Sequence, residues 1–208
     1  MTCDMNQEEL DKVPEHGPML IVTNHINVLE GPLIYLFMRP RDTIAMAKQE
    51  LWSHGFTRKI MQWWECIPVN RGMLDREAMN SCFKILDEGK FLCIAPEGTR
   101  SPDGQMKQGK AGSGFIAAKK RVPILPIANF GMESFSKNLK RLRRTRVTIK
   151  VGKPFIIDLD KKRLSPEERQ GITDEMMIRL ARLMPDSYHG FYASRVDDPL
   201  TMTKTVED

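Results

Sequence analysis

One short stretch of the chain carries residues that could move a proton, and a second carries residues that could hold an anion. In Asn24-His25-Ile26-Asn27-Val28-Leu29-Glu30-Gly31-Pro32, His25 and Glu30 stand five positions apart. On a regular helix that spacing turns them about 140° away from each other, so they pair only across an irregular backbone. Gly31 supplies the irregularity, and Pro32 suits the first position of a following helix. A carboxylate bonded to one imidazole nitrogen fixes the tautomer and raises the basicity of the other nitrogen, which is then free to act as a general base. The plainer alternative is a surface histidine followed by a helix-start glutamate.

The second stretch is Pro96-Glu97-Gly98-Thr99-Arg100-Ser101, directly after an apolar run. Gly98 permits a tight turn. The hydroxyls of Thr99 and Ser101 and the backbone N–H groups suit an anion, and Arg100 can grip a phosphate through two parallel hydrogen bonds. Its alternative is a polar surface loop. Two further segments carry weaker signals. Ile67-Pro68-Val69-Asn70-Arg71-Gly72 is a strand end that delivers an arginine, which could equally make a surface ion pair. Val122-Pro123-Ile124-Leu125-Pro126-Ile127-Ala128 is apolar with two prolines, which predicts an edge strand or the wall of a pocket.

In this order and spacing the four segments resemble the glycerolipid acyltransferases of the lysophosphatidic acid acyltransferase family. The blocks of that family are N-H-x4-D-x-P, a strand ending in arginine, P-E-G-T-R-S, and V-P-[IV]-x-P-[VI]. Here they read NHINVLEGP, IPVNRG, APEGTRS and VPILPIA. Lys107-Gln108-Gly109 matches the family's lysine-x-glycine, and the stretch from Leu183 to Tyr192 resembles its C-terminal ending, so the likeness covers roughly residues 14 to 193. The resemblance implies transfer of a fatty acyl group from acyl-CoA or acyl carrier protein to a free hydroxyl of a lysophospholipid, with lysophosphatidic acid as the default acceptor. Another lysolipid, glycerol 3-phosphate, or binding without turnover are the alternatives. It also implies roles for residues. His25 is the base, and Glu30 stands where the family has aspartate. Arg71, Arg100 and Lys107 hold the acceptor phosphate in a pocket shaped by Glu97, Gly98, Thr99 and Ser101. No metal or other cofactor is expected, because a thioester has a good leaving group and positioning with one base carries most of the barrier reduction. Glutamate for aspartate adds one methylene, so the carboxylate must fold back or the loop must shift to reach His25.

These residues need a scaffold, and the pattern of alternating strands and helices predicts an α/β fold: a single domain with a mixed β-sheet flanked by helices. Strands are expected over Met19–Thr23, Thr43–Ala47, Cys66–Asn70, Phe91–Ala95, Val122–Ala128 and Val147–Val151. Helices are expected over Leu33–Met38, Phe56–Trp64, from a cap at Asp75 to Gly89, over Phe115–Lys120, and from Ser165 to Pro185. Ser165-Pro166-Glu167-Glu168 spells a capping box with proline at the first helical position. Residues 1–17 read as a lead-in, 18–193 as the acyltransferase domain, and 194–208 as a polar tail, frayed from Val196 onward.

The chain has 208 residues, 41% of them hydrophobic and 28% charged, which excludes wholesale disorder. Its longest apolar run, Pro32 to Met38, is too short to span a membrane, which takes about 18 residues or more. The N-terminus carries Asp4, Glu8 and Glu9 and does not read as a secretory leader. Four cysteines at irregular spacing read as reduced thiols in a cytoplasmic protein, not as a zinc site or disulfide frame. The net charge of +5 is local: between Ser134 and Ile157 there are eight basic residues and no acidic one, so the rest of the chain is net negative. That run predicts an anionic partner. An anionic membrane surface meeting Lys137–Arg146 is the expected one, with Phe56, Ile60, Trp63 and Trp64 as candidate interfacial anchors. This places the protein peripherally on the inner face of a membrane. Nucleic acid is not expected, since no stacking surface or recognised motif accompanies the charge.

Overall fold

A computed structural model describes residues 3–27, 35–70, 76–161 and 163–206. Glu30, Arg71 and Asp75 lie outside the described residues. Nine strands form one mixed sheet: β1 (Cys3–Met5), β2 (Met19–Thr23), β3 (Thr43–Lys48), β4 (Ile67–Val69), β5 (Phe91–Ile94), β6 (Ile124–Phe130), β7 (Thr145–Val151), β8 (Phe155–Ile157) and β9 (Thr203–Thr205). The order is β1-β7-β6-β2-β5-β3-β4, with β8 pairing β6 and β9 pairing β8. The block β6-β2-β5-β3-β4 is parallel, and β7 and β8 run antiparallel to β6. Among the described residues, helices α1 (Gly55–Trp63), α2 (Arg76–Asp87), α3 (Gly112–Lys120), α4 (Phe135–Lys140) and α5 (Pro166–Ala181) accompany the sheet. Residues 35–38 are also helical.

The centre of the parallel block, β6, β2 and β5, is buried on both faces, which is why β2 and β5 read as unbroken apolar runs. Side chains alternate between the faces. Leu20, Val22, Leu92, Ile94 and Ile124 pack on one side with Ile116, Ala117, Met176 and Leu180 of α3 and α5. Met19, Ile21, Phe91, Cys93 and Leu125 pack on the other with Leu10, Val13 and Met38. The capping box is present: Glu168 N–H donates to Ser165 Oγ (3.2 Å) and Ser165 N–H donates to Glu168 Oε2 (2.8 Å). α3 starts three residues before its expected first residue, at Gly112.

Two expectations need correction. β6 is not an edge strand: β2 flanks it on one side, and β7 and β8 share the other. Its prolines are tolerated because Pro126 sits where the β7 ladder stops. The last β6–β7 pair is Ile127 with Val151, and the chain turns away at Gly152, whose N–H donates to Pro126 O (2.9 Å). The C-terminal stretch is not frayed either. Glu175, buried in α5, accepts the N–H groups of Thr201 (2.7 Å) and Met202 (2.8 Å) and the Thr203 hydroxyl (2.7 Å), which delivers β9 to β8. At the other end, β1 of the lead-in pairs with β7.

Candidate active site

The parallel strands β2, β5, β3 and β4 all end on one side of the sheet, the side where open α/β folds place their ligands. β2 ends in Thr23 and delivers Asn24 and His25. Asn24 is buried and locks onto β6: its side-chain amide donates to Asn129 O (2.7 Å), and Asn129 N–H donates back to Asn24 Oδ1 (2.9 Å). The strand end that carries His25 is therefore fixed to both neighbours, since β5 delivers Glu97 on the opposite side. Glu97 is only 2% exposed. Its carboxylate accepts the His25 N–H (3.1 Å, Oε1), the Ser101 hydroxyl (2.8 Å, Oε2) and the Lys107 N–H (2.9 Å, Oε2). Ser101 N–H in turn donates to His25 O (2.7 Å). The loop from 97 to 107 thus grips the backbone of His25 from both its N–H and its carbonyl. Burial pushes the Glu97 carboxyl above its ordinary pKa of 4.5; the three hydrogen bonds and the charge of His25 pull the other way.

A cavity of about 760 Å³ opens at these strand ends, and His25, itself half-buried, lines it. Met46, Met79, Phe83, Ile94, Phe115 and Ile116 give it apolar walls, with Phe83 and Phe115 packed edge to face at 5.9 Å. Lys48, Arg76, Lys110 and Arg169 give it positive charge, and no aspartate or glutamate lines it among the described residues. The Arg169 guanidinium lies over the Phe115 ring, 5.4 Å from its centroid. Volume and lining are those of a site for a small amphiphile rather than for a macromolecular chain.

The residues singled out from the sequence fall into three places. His25 and Gly98 line the cavity. Glu97 and Ser101 are buried behind it and bond to each other and to the backbone. Thr99, Arg100 and Lys107 are exposed on the loop, where Lys107 Nζ donates to Arg100 O (2.8 Å). The loop closes on a second brace. Gly109 N–H donates to Tyr192 Oη (3.0 Å), Tyr192 donates to Asp174 Oδ1 (2.9 Å), and Asp174 also meets Arg195 (3.0 Å). The sequence reading missed the cavity cations. Lys48 ends its strand as Arg71 follows β4, which is a usable signal; Lys110 and Arg169 come from a loop and a helix and carry none. All four cysteines are free thiols; burial pushes Cys66 up to about 11 and Cys93 up to about 12.

Comparison with known proteins places this geometry. The family described as Acyltransferase matches residues 4–129. The chain is 29% identical over 174 residues to a 1-acyl-sn-glycerol-3-phosphate acyltransferase of Chlamydomonas reinhardtii, covering 78% of this chain and 50% of that one. It is 29% identical over 166 residues to the enzyme of that name from Borreliella burgdorferi, covering 78% and 64%. Against Taffazin of Dictyostelium discoideum the identity is 31% over 170 residues, covering 72% and 59%. The chain therefore spans between half and two thirds of the length of these relatives. The crystal structure of the 1-acyl-sn-glycerophosphate (LPA) acyltransferase PlsC from Thermotoga maritima superposes with a TM-score of 0.61 at 25% identity, covering 86% of this chain and 70% of that one.

Proposed function

We infer that this chain, which belongs to the acyltransferase family, transfers a fatty acyl group from acyl-CoA or acyl carrier protein to the hydroxyl of a lysophospholipid, lysophosphatidic acid first. The observation that carries the reading is the cavity itself, which joins His25 to apolar walls and to four cations, with no carboxylate in its lining among the described residues. That combination suits a fatty chain with a negative headgroup. His25 would take the proton of the acceptor hydroxyl as its oxygen attacks the thioester carbonyl. Collapse of the tetrahedral adduct breaks the carbon–sulfur bond, and the imidazolium returns its proton to the leaving thiolate. Glu30 would orient the imidazole. The acceptor phosphate would be held by Arg71, which follows β4, and by Arg100 and Lys107 on the loop shaped by Gly98, Thr99 and Ser101 and braced by Glu97. The reaction so written needs no metal or prosthetic group, since the thioester supplies the reactive carbonyl.

We assign the surface role to the same end of the sheet. Lys137, Lys140, Arg141, Arg143, Arg144 and Arg146 are all exposed around α4 and the turn that follows β6, with Leu142 95% exposed at its tip. On α1, Phe56 and Trp63 are 79% and 70% exposed. No helix among the described residues is long and apolar enough to cross a membrane. Basic residues attract anionic lipid by about 1 kcal/mol each near the surface, and aromatic side chains favour the interface. The protein would thus sit peripherally on the inner, anionic face of a membrane, with the cavity near its substrates.

The test is CoA release from a long-chain acyl-CoA on anionic vesicles, with and without lysophosphatidic acid. Release that depends on the acceptor and is lost in His25→Ala supports the reading, and a parallel loss in Glu30→Ala assigns the orienting carboxylate. No acceptor-dependent release with lysophosphatidic acid, other lysolipids or glycerol 3-phosphate refutes it.

A further inference from the structure

We propose that α1 is a bilayer-operated latch on the cavity: in water it holds Tyr35 in the cavity wall, and on an anionic phospholipid surface it moves into the interface and lets that wall open. The helix joins β3 to β4, and the last residues of both strands, Lys48 and Val69, line the cavity. Tyr35, from the helical residues 35–38, lines it too. Its ring packs against Trp63 at the end of α1 (6.3 Å between centroids) and against Trp64 just beyond (5.3 Å). The Arg39 guanidinium lies over the same ring, 5.0 Å from its centroid. A shift of α1 therefore unseats a residue of the cavity wall. The seat is loose. No residue of α1 is buried, which puts the helix at the low-stability end of the fold. Its link to β4 turns on Glu65 at φ +52°, a left-handed position that glycine ordinarily fills.

A ligand shifts such an equilibrium only as far as it prefers one position over the other. Three features of α1 prefer a bilayer. Phe56 and Trp63 are exposed seven positions apart, on one face of the helix. Arg58 and Lys59 are exposed beside them, and α1 carries no acidic residue. The indole N–H of Trp64 is buried and meets no acceptor among the described residues, a cost borne only in the seated position. Ester and phosphate oxygens at headgroup level satisfy such an indole, which is where tryptophan concentrates in membranes. The basic turn after β6 leaves the sheet at the same end as α1, so one anionic surface can touch both. A second copy of this chain would bring like charge to that face and supplies no such complement. The inference rests on the acyltransfer reading above for its rate measurements, while the motion rests on α1 alone.

Trp52, Trp63 and Trp64 are the only tryptophans of the chain, so intrinsic fluorescence reports this segment without a label. The probes are vesicles of phosphatidylglycerol and phosphatidylcholine with plain or brominated chains. Rates are read with short-chain acyl-CoA and short-chain lysophosphatidic acid, both monomeric in water and too short to concentrate on the bilayer. Plain vesicles should raise kcat about tenfold, equivalent to about 1.4 kcal/mol of preference for the open position. Brominated vesicles should quench the tryptophans, and hydrogen exchange at residues 35–38 should quicken. In Tyr35→Ala the latch has nothing to hold, so the stimulation by vesicles disappears; Tyr35→Phe keeps the ring and the stimulation. The double variant Phe56→Ser, Trp63→Ser loses the stimulation as well. No stimulation of wild type, or stimulation undiminished in Tyr35→Ala, overturns the proposal. So does a dimer in water that the double variant dissolves, which assigns the face to a second copy. Quenching and exchange need no turnover. If wild type transfers nothing while vesicles quench the tryptophans and quicken exchange at 35–38, only the reaction assignment falls; quenching with exchange unchanged leaves α1 a passive anchor and removes the latch.

Discussion

At Glu97 a buried carboxylate accepts hydrogen bonds from the backbone of His25, the backbone of Lys107 and the hydroxyl of Ser101. All three partners donate. Glu97→Gln places an amide NH₂ against at least one of them, which costs about 1–3 kcal/mol for the buried donor left unmade. Where the unmade partner is the His25 N–H, the strand end that carries the proposed base shifts, and kcat should fall as well. The pH dependence has a definite sign. A carboxyl raised above 4.5 by burial holds its proton more tightly in the folded chain than in the unfolded one, so its contribution to stability shrinks as pH rises through the raised value. The margin of wild type over Glu97→Gln is therefore widest near pH 4.5 and narrows toward neutrality. Urea unfolding of the pair between pH 4.5 and 7 measures it, and a margin that widens with pH would contradict the assignment. The sequence marked Glu97, Arg100 and Ser101 as one anion-binding loop. It could not say which side chain turns inward, because that depends on which donors β2 and the 107 backbone bring to the loop.

At the scale of elements, the loop after β5 is pinned by α5 through contacts that leave no room. A Cβ on Gly109 would lie 2.7 Å from Thr173 Cγ2 and 2.9 Å from Met177 Cγ. Gly109→Ala must shift α5 or the loop, an overpacking cost of about 1–3 kcal/mol. The expected outcome is a lower melting temperature together with a lower kcat, read by thermal unfolding and initial rates; an unchanged value for both would show that the brace is slack. Helix α5 and the parallel strands were legible because their signals are local: a capping box for the helix, and unbroken apolar runs for strands buried on both faces. β9 was not legible. Thr203–Thr205 is polar and short, and it is held by Glu175, 28 positions earlier in the chain, which no local pattern reports. β6 misled for a related reason: proline is excluded from a ladder only where a partner needs its N–H, and at Pro126 the partner strand has ended.

For the whole molecule, charge and topology converge. β6 runs parallel to β2, so the turn after β6 with its basic residues emerges at the same end of the sheet as His25. Replacing Lys140, Arg143 and Arg144 together with glutamate should weaken binding to anionic vesicles by at least tenfold and remove its salt dependence, while leaving the melting temperature near wild type. Sedimentation with vesicles at low and high salt reads this, and undiminished binding would move the membrane contact to α1. The run was legible as a local excess of charge; its alignment with the cavity was not, since that follows from the direction of β6. The claim on which the account stands is that His25 drives acyl transfer to a lysophospholipid hydroxyl. Its most direct measurement is the mass of the lipid formed from a labelled acyl-CoA and lysophosphatidic acid by wild type and by folded His25→Ala. Wild type is expected to form labelled phosphatidic acid, and the variant to form it more slowly by about 10²–10⁴. Equal rates of labelled product from both proteins would contradict it.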